Sequence, residues 1–132
     1  MMTLGPFAVA PDGTLSPRAA GLSPALRFAW RDRICEAVVM ERGVKLRAIA
    51  GRIPSTAERG VDRHGTMRAV AGMSADMPRG WHLRLMADHR LAIETDTPPR
   101  ETAVALLGEL VRFALALDPY LDQLEAAGAA RP

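Results

Sequence analysis

Residues 26–52 read LRFAWRDRICEAVVMERGVKLRAIAGR, and the period of this stretch decides the fold. Leu26, Phe28 and Trp30 alternate with Arg27, Ala29 and Arg31, the two-residue repeat of a strand with one wet face. Asp32-Arg33 supplies a turn. Ile34 to Glu41 is rich in β-branched and apolar residues at successive positions, which predicts a central strand buried on both faces. Arg42-Gly43 makes a second tight turn, glycine being free to take positive φ. Val44, Leu46, Ala48 and Ala50 then alternate with Lys45, Arg47 and Ile49. Strands joined by such short turns must be antiparallel, because parallel neighbours need a long crossover. The stretch is a three-stranded meander.

Downstream, Pro54 closes the third strand. Ser55-Thr56-Ala57-Glu58 has capping-box spacing, in which each end side chain satisfies a backbone N–H near the other. The helix it announces is weak, since Gly60 and Gly65 each cost about 1 kcal/mol relative to alanine. Its better part is His64 to Met73, with Met67, Val70 and Ala71 on one side. Pro78-Arg79-Gly80 ends it. Trp81, Leu83 and Leu85 alternate with His82 and Arg84, Ala87-Asp88-His89 turns the chain, and Leu91 and Ile93 alternate with Arg90, Ala92 and Glu94. These form a second hairpin.

Thr97-Pro98 has the form of a helix start, with threonine as N-cap and proline at the first position. Ala103, Leu107, Leu110, Ala114, Leu117, Leu121 and Leu124 then recur at spacings of three and four, and Leu106, Val111, Phe113 and Leu115 widen the stripe. Such a stripe must be buried, and it is too wide for one sheet edge. Asp118-Pro119 inside it either kinks the helix or caps a new one, and Gly128 is a C-terminal stop.

The fold class is therefore α+β, an antiparallel sheet of about five strands with a long C-terminal helix packed on it. Residues 26–127 make the domain and 128–132 a tail. Residues 1–25 are rich in Pro, Gly, Ala and Ser. They are either an irregular arm or a short hairpin, in which Phe7–Val9 and Thr14-Leu15 flank the turn Pro11-Asp12-Gly13.

The chain has 132 residues, enough for one domain with its own core. Apolar residues are 48% and charged residues 24%, an ordinary globular balance that excludes disordered and fibrous classes. The single cysteine, Cys35, cannot form an internal disulfide. Residues 1–11 lack a basic and then apolar leader, and the most apolar stretch, 103–117, is interrupted by Glu109 and Arg112 and too short to span a bilayer. The expectation is a cytoplasmic protein without a membrane segment. The net charge is only +2, but residues 1–100 hold 15 basic and 10 acidic side chains while residues 101–132 hold 2 and 5.

Chemistry-bearing residues are sparse. Glu94 and Asp96 share a strand face, and Glu36 and Glu41 belong to the second strand and its turn, yet neither pair is matched with a histidine or a glycine-rich pocket. His64, His82 and His89 are dispersed and lack metal-ligand spacing. Cys35, Ser55 and Ser74 are the candidate nucleophiles, and Cys35 mid-strand reads as a small apolar filler. No phosphate-binding loop, dinucleotide fingerprint or nucleophile elbow occurs. The reading is non-enzymatic, with no metal and no cofactor. A pocket assembled around His82, His89 and Glu94 is the enzymatic alternative. Arg42, Lys45, Arg47, Arg52, Arg59, Arg63 and Arg68 form a basic run that would suit phosphates, so Arg42, Lys45, Arg47 and Arg52 are candidate anion-binding residues for a nucleic acid or anionic surface. The leading candidate is the apolar helix. Leu107, Leu110, Val111, Ala114, Leu117 and Leu121 are the residues expected to meet a second copy or a protein client, since apolar area left in water costs about 25 cal/mol per Å².

The order meander, helix, hairpin, long helix resembles the type III secretion chaperone-like superfamily, which includes the CesT-like and YbjN-like proteins. The likeness rests on Trp81 to Thr95, a hairpin leading into a helix, and on Ala103 to Leu124, and it covers residues 26–127. The resemblance implies a small homodimer that holds an extended client on apolar patches. That family usually opens with an amphipathic helix and is acidic, whereas this chain opens with a Pro/Gly-rich segment and has a pI near 9.3, as a divergent member would.

Overall fold

The computed structural model describes residues 2–17, 24–55 and 62–132. Among the described residues, eight strands and two helices follow in the order β1 (Met2–Leu4), β2 (Phe7–Val9), β3 (Leu15–Pro17), β4 (Ala25–Trp30), β5 (Arg33–Met40), β6 (Gly43–Arg52), α1 (Arg63–Ala75), β7 (Trp81–Leu85), β8 (Arg90–Thr97) and α2 (Ala103–Ala126). The main sheet is antiparallel with order β4-β5-β6-β8-β7, and β1-β2-β3 form a separate small sheet. The fold is α+β, and the meander, the second hairpin and the long helix follow in the expected order, with shifted turns and a later helix start.

In the N-terminal segment a hairpin forms: Phe7 pairs with Pro17 and Val9 with Leu15 across the Pro11–Gly13 turn. Its loop docks on the start of α2. Leu15 N donates to Glu101 O at 2.7 Å, and Ala103 N donates to Gly13 O at 2.9 Å.

The first meander turn sits one residue earlier than expected, at Arg31-Asp32, whose φ values of 50° and 64° close a two-residue loop between Trp30 and Arg33. Arg33 is instead the first residue of β5 and points inward. It is 2% exposed, and its guanidinium donates to Ala50 O at 3.1 Å, Arg31 O at 2.7 Å and Glu125 at 3.0 Å. Those acceptors explain how an arginine occupies a core position.

β5 is not buried on both faces. Cys35 and Ala37 are fully buried, while Ile34 and Met40 on the other face are about half exposed. The strand buried on both faces is β8, at residues 91–94. Its second face, Ala92 and Glu94, is small or charged and lies under the long side chains of neighbouring strands. Composition alone pointed to β5 because the sequence carries no mark of which sheet face a helix will cover. The second turn is Glu41-Arg42, and Gly43 already pairs with Met40. Glycine is required at 43 because a Cβ there would stand 2.7 Å from the Thr97 carbonyl oxygen.

The helix after β6 is Arg63–Ala75, capped by Asp62, whose carboxylate accepts from Gly65 N at 2.9 Å. The expected capping box reaches into residues 56–61, outside the described residues. The inner face of α1 is Thr66, Met67, Val70 and Met73, and Ala71 is exposed. Thr66 Oγ1 donates to Ala127 O at 2.7 Å, tying α1 to the end of α2.

Thr97 does not cap α2. It is the last residue of β8, paired with Val44, and the N-cap is Thr102, whose side chain accepts from Ala105 N at 3.2 Å. Residues 98–101 are held off helix by the docked hairpin. Helix α2 then runs unbroken through Pro119. Asp118, just before it, accepts from Trp30 Nε1 at 2.9 Å, and its carbonyl accepts from Arg31 at 3.4 Å. These tertiary bonds hold the chain helical across the proline. At the C-terminus Gly128 takes φ 88°, Gly128 N donates to Glu125 O and Ala129 N to Leu124 O, a Schellman stop. Ala130 and Arg52 then exchange two 2.9 Å backbone bonds, fastening the tail to the sheet.

The core lies between α2 and one sheet face. Leu106, Leu110, Phe113, Ala114, Leu117, Leu121 and Leu124 are buried against Cys35, Ala37, Leu46, Ala48, Leu91 and Ile93. Trp81 stacks obliquely on Phe113 and Tyr120, with ring centroids 5.4 and 5.9 Å apart. Leu117→Ala is expected to lower unfolding stability by about 2–5 kcal/mol, because it opens a cavity at a fully buried site. Urea denaturation monitored by tryptophan fluorescence reads the loss.

Candidate functional site

A helix of 24 residues has more apolar circumference than one sheet can cover. On α2 the sheet takes the stripe through Leu106, Leu110, Leu117, Leu121 and Leu124. One flank of what remains is apolar too. Val104 is 80% exposed, Leu107 44%, Val111 57% and Leu115 56%. Continuing along the same flank, the helix turns acidic at Asp118, Asp122 and Glu125. Those carboxylates lie 2.8–3.5 Å from the Arg31 guanidinium at the β4–β5 turn. The C-terminal half of the flank is thus neutralised by the body of the domain, and the N-terminal half is bare and apolar.

Of the six helix residues expected to meet a partner, Leu107 and Val111 stand at this surface. Leu110, Ala114, Leu117 and Leu121 are buried within the chain and belong to the core. Val104 and Leu115, the other two members of the exposed stripe, were not among the six. The phase of the sheet contact, which rotates the buried stripe toward Leu106 and Phe113, decides which leucines remain outside.

Beside the stripe, between α2, β4 and β1, lies a groove of about 280 Å³ lined by Leu4, Leu26, Arg27, Phe28, Leu107, Leu110 and Val111. It is almost wholly apolar, with Arg27 at its rim. β4 is an edge strand of the main sheet, so the groove runs along a row of strand-edge backbone groups.

The sheet face turned away from α2 is of another kind. The register puts Arg27, Glu36, Arg47, Glu94 and His82 in one row, one residue from each of β4, β5, β6, β8 and β7. Arg27 Nε donates to Glu36 at 3.0 Å. Glu94 lies 3.0 Å from Lys45 and 2.9 Å from Arg84. Arg47 Nε faces Glu94 Oε1 at 3.9 Å, too long for a hydrogen bond, and among the described residues neither atom has a hydrogen-bond partner, so charge alone joins them. Burial pushes the Glu94 carboxyl upward, but the Lys45 hydrogen bond and the charges of Lys45, Arg84 and Arg47 outweigh it and leave the group below its ordinary value.

The sequence-level candidates for other chemistry separate in space. Arg42 and Arg52 stand at opposite ends of the ten-residue β6, about 30 Å apart. Lys45 and Arg47 turn their charge to Glu94, and Arg59 lies outside the described residues. His82 and Glu94 are cross-strand partners, while His89 sits in the β7–β8 turn, its Nδ1 3.4 Å from Arg63, and lines a different hollow with Arg52, Ile53, Ser55, Arg63 and Asp88. Ser74 is exposed on α1. Cys35 is fully buried, and burial pushes its thiol up to about 11. Among the described residues, no three His, Cys, Asp or Glu side chains converge as a metal site, and no helix is long and apolar enough to cross a membrane. No protein-family model, curated protein or solved structure shows a significant match to the chain.

Two outcomes follow from these environments. The folded-state value of Glu94 lies below its free value of 4.5, so the group stabilises the fold at neutral pH. That contribution is lost as pH falls below 4.5 through the folded-state value. Stability–pH curves of the wild type and Glu94→Gln should therefore differ at pH 7 and converge in acid. Cys35 should resist a thiol reagent at pH 8 in the native protein and react fully in denaturant, since it is both shielded and protonated.

Proposed function

We propose that this chain is a non-enzymatic protein-binding module of the cytoplasm, a homodimer that holds an extended apolar client segment in a chaperone-like manner. One observation carries the reading: a bare apolar flank of α2, at Val104, Leu107, Val111 and Leu115, adjoins the groove along β4, so that there is apolar surface for a second copy on the helix and for a client, beside Leu107, in the groove. Contiguous apolar surface of this kind mostly marks an interaction site. An edge strand beside an apolar groove also offers the two things an extended peptide needs, main-chain hydrogen bonds and a slot for alternate side chains. The element order supports the same reading through its resemblance to the type III secretion chaperone-like folds, whose members hold unfolded clients.

The test uses a fluorescently labelled, permanently unfolded polypeptide, such as a reduced and carboxymethylated protein. Anisotropy should rise on titration with the wild type, and Leu107→Asp should weaken the association at least tenfold while leaving the melting temperature near that of the wild type. An unchanged affinity in that variant, or no binding by the wild type at about 100 μM (a free energy of only ~5.5 kcal/mol), would reject the groove as a client site.

A further inference from the structure

We propose that the crest of α2 is the dimer contact itself, with two copies packing their α2 helices antiparallel so that Gly108 of each receives Val111 of the other. This rests on the dimeric part of the reading above and adds its geometry.

The spacing of the exposed crest carries the argument. Its members are Val104, Gly108, Val111 and Leu115, at steps of four, three and four. That order is unchanged when read backwards. A helix laid antiparallel on its own copy about a two-fold axis between residues 109 and 110 therefore sets a glycine notch against a valine on each side of the axis, with an apolar pair closing each end. Val104 meets the partner's Leu115, and Gly108 meets the partner's Val111. A two-fold contact has to be self-complementary in this way.

Gly108 supplies a second observation. Glycine is the least favourable helix residue after proline, and among the described residues no neighbour demands it at 108. Of the described residues a Cβ there would meet the Arg112 head alone, at an ordinary 3.7 Å. The notch is at the centre of the exposed apolar surface, where it lets a second backbone approach closely. The crest also ends where charge begins. Asp118, one turn beyond Leu115, is already occupied by Trp30 and Arg31. The bare side chains form the apolar centre of the contact, and a polar rim supplies the rest of the roughly 800 Å² that a standard interface buries per partner. Leu107 lies to the β4 side of the crest and stays with the groove.

Cysteine pairs test the register. Along a helix, residues 104 and 115 are about 16 Å apart, so they cannot bridge within one chain. The double variant Val104→Cys/Leu115→Cys should give a covalent dimer under mild oxidation. Each single variant should not, because like positions are equally far apart across the axis. The native Cys35 does not interfere, being fully buried. Light scattering of the untouched protein should give twice the 14.2 kDa chain mass. Gly108→Ala, which favours the isolated helix, should raise the dimer dissociation constant at least tenfold without lowering the melting temperature of the dilute protein. A dimer whose double variant does not crosslink, or whose Val104→Cys single variant does, overturns the antiparallel register and leaves client binding standing. A monomer that still binds the unfolded polypeptide overturns the dimer contact alone. A monomer that does not bind it removes both.

Discussion

The fold depends on one burial event, the docking of the α2 stripe on the inner face of the β5–β6–β8 sheet. Seven α2 side chains disappear against that face, and each of the leucines and the phenylalanine among them contributes about 1.5–3 kcal/mol. Among the described elements, neither α1 nor the small sheet buries as many large apolar side chains against it. α1 is short and buries only Thr66 and Met73, and the β1-β2-β3 sheet has three-residue strands. Both attach to ends of α2: the small sheet through Gly13 and Glu101 at its start, α1 through Ala127 at its finish. The helix is the spine, and the smaller elements are held by it.

Polar contacts then fix the orientation that burial alone would leave loose. Hydrophobic contact is non-directional, so a smooth leucine stripe could slide or rotate on the sheet. Trp30–Asp118 and Arg33–Glu125 prevent that, each joining a sheet residue near the β4–β5 turn to one point on the helix. Arg33 is the more demanding of the two. A buried guanidinium is costly unless its donors are satisfied, and its three acceptors come from three segments. Only one placement of β5, β6 and α2 satisfies them together. The rotation fixed in this way determines that Leu106 and Phe113 go in and that Val104 and Leu115 stay out.

Much of this architecture was legible because it follows from period. The alternation in Leu26–Trp30, Val44–Ala50, Trp81–Leu85 and Leu91–Ile93 has one reading, and so has the three–four spacing after Ala103. What escaped was set by tertiary partners that period does not encode. Thr97-Pro98 has all the local chemistry of a helix start, yet Val44 holds Thr97 in the sheet and the N-terminal hairpin occupies the backbone of Glu101 and Ala103. Asp118-Pro119 has the local chemistry of a helix break, yet Trp30 and Arg31 hold it straight. At the candidate surface the error was one of phase. The sequence marked α2 as over-supplied with apolar residues, correctly, and then assigned Leu110, Ala114, Leu117 and Leu121 to the outside. A helix whose apolar arc exceeds half its circumference has no unique buried stripe until its polar contacts are known.

The distribution of charge explains why the two uncovered surfaces differ in kind. Both the outer sheet face and the outer helix flank expose large apolar side chains, Ile34 and Met40 on the first, Val104, Val111 and Leu115 on the second. On the sheet, the register interleaves them with the row Arg27–Glu36–Arg47–Glu94, whose alternating signs are mutually compensated and well solvated at the edges. A partner approaching that face would have to desolvate those charges and would gain little from pairs that are already made. On the helix, the nearest charges are Asp118, drawn back by Trp30 and Arg31, and Arg112, paired with Glu109. Covering the crest between them disturbs a single ion, the exposed Arg112 head beside Gly108, which keeps its Glu109 partner. The Trp30–Asp118 bond that helps orient α2 on the sheet therefore also draws charge back from the crest, and the internal contact and the availability of the external one have a common origin.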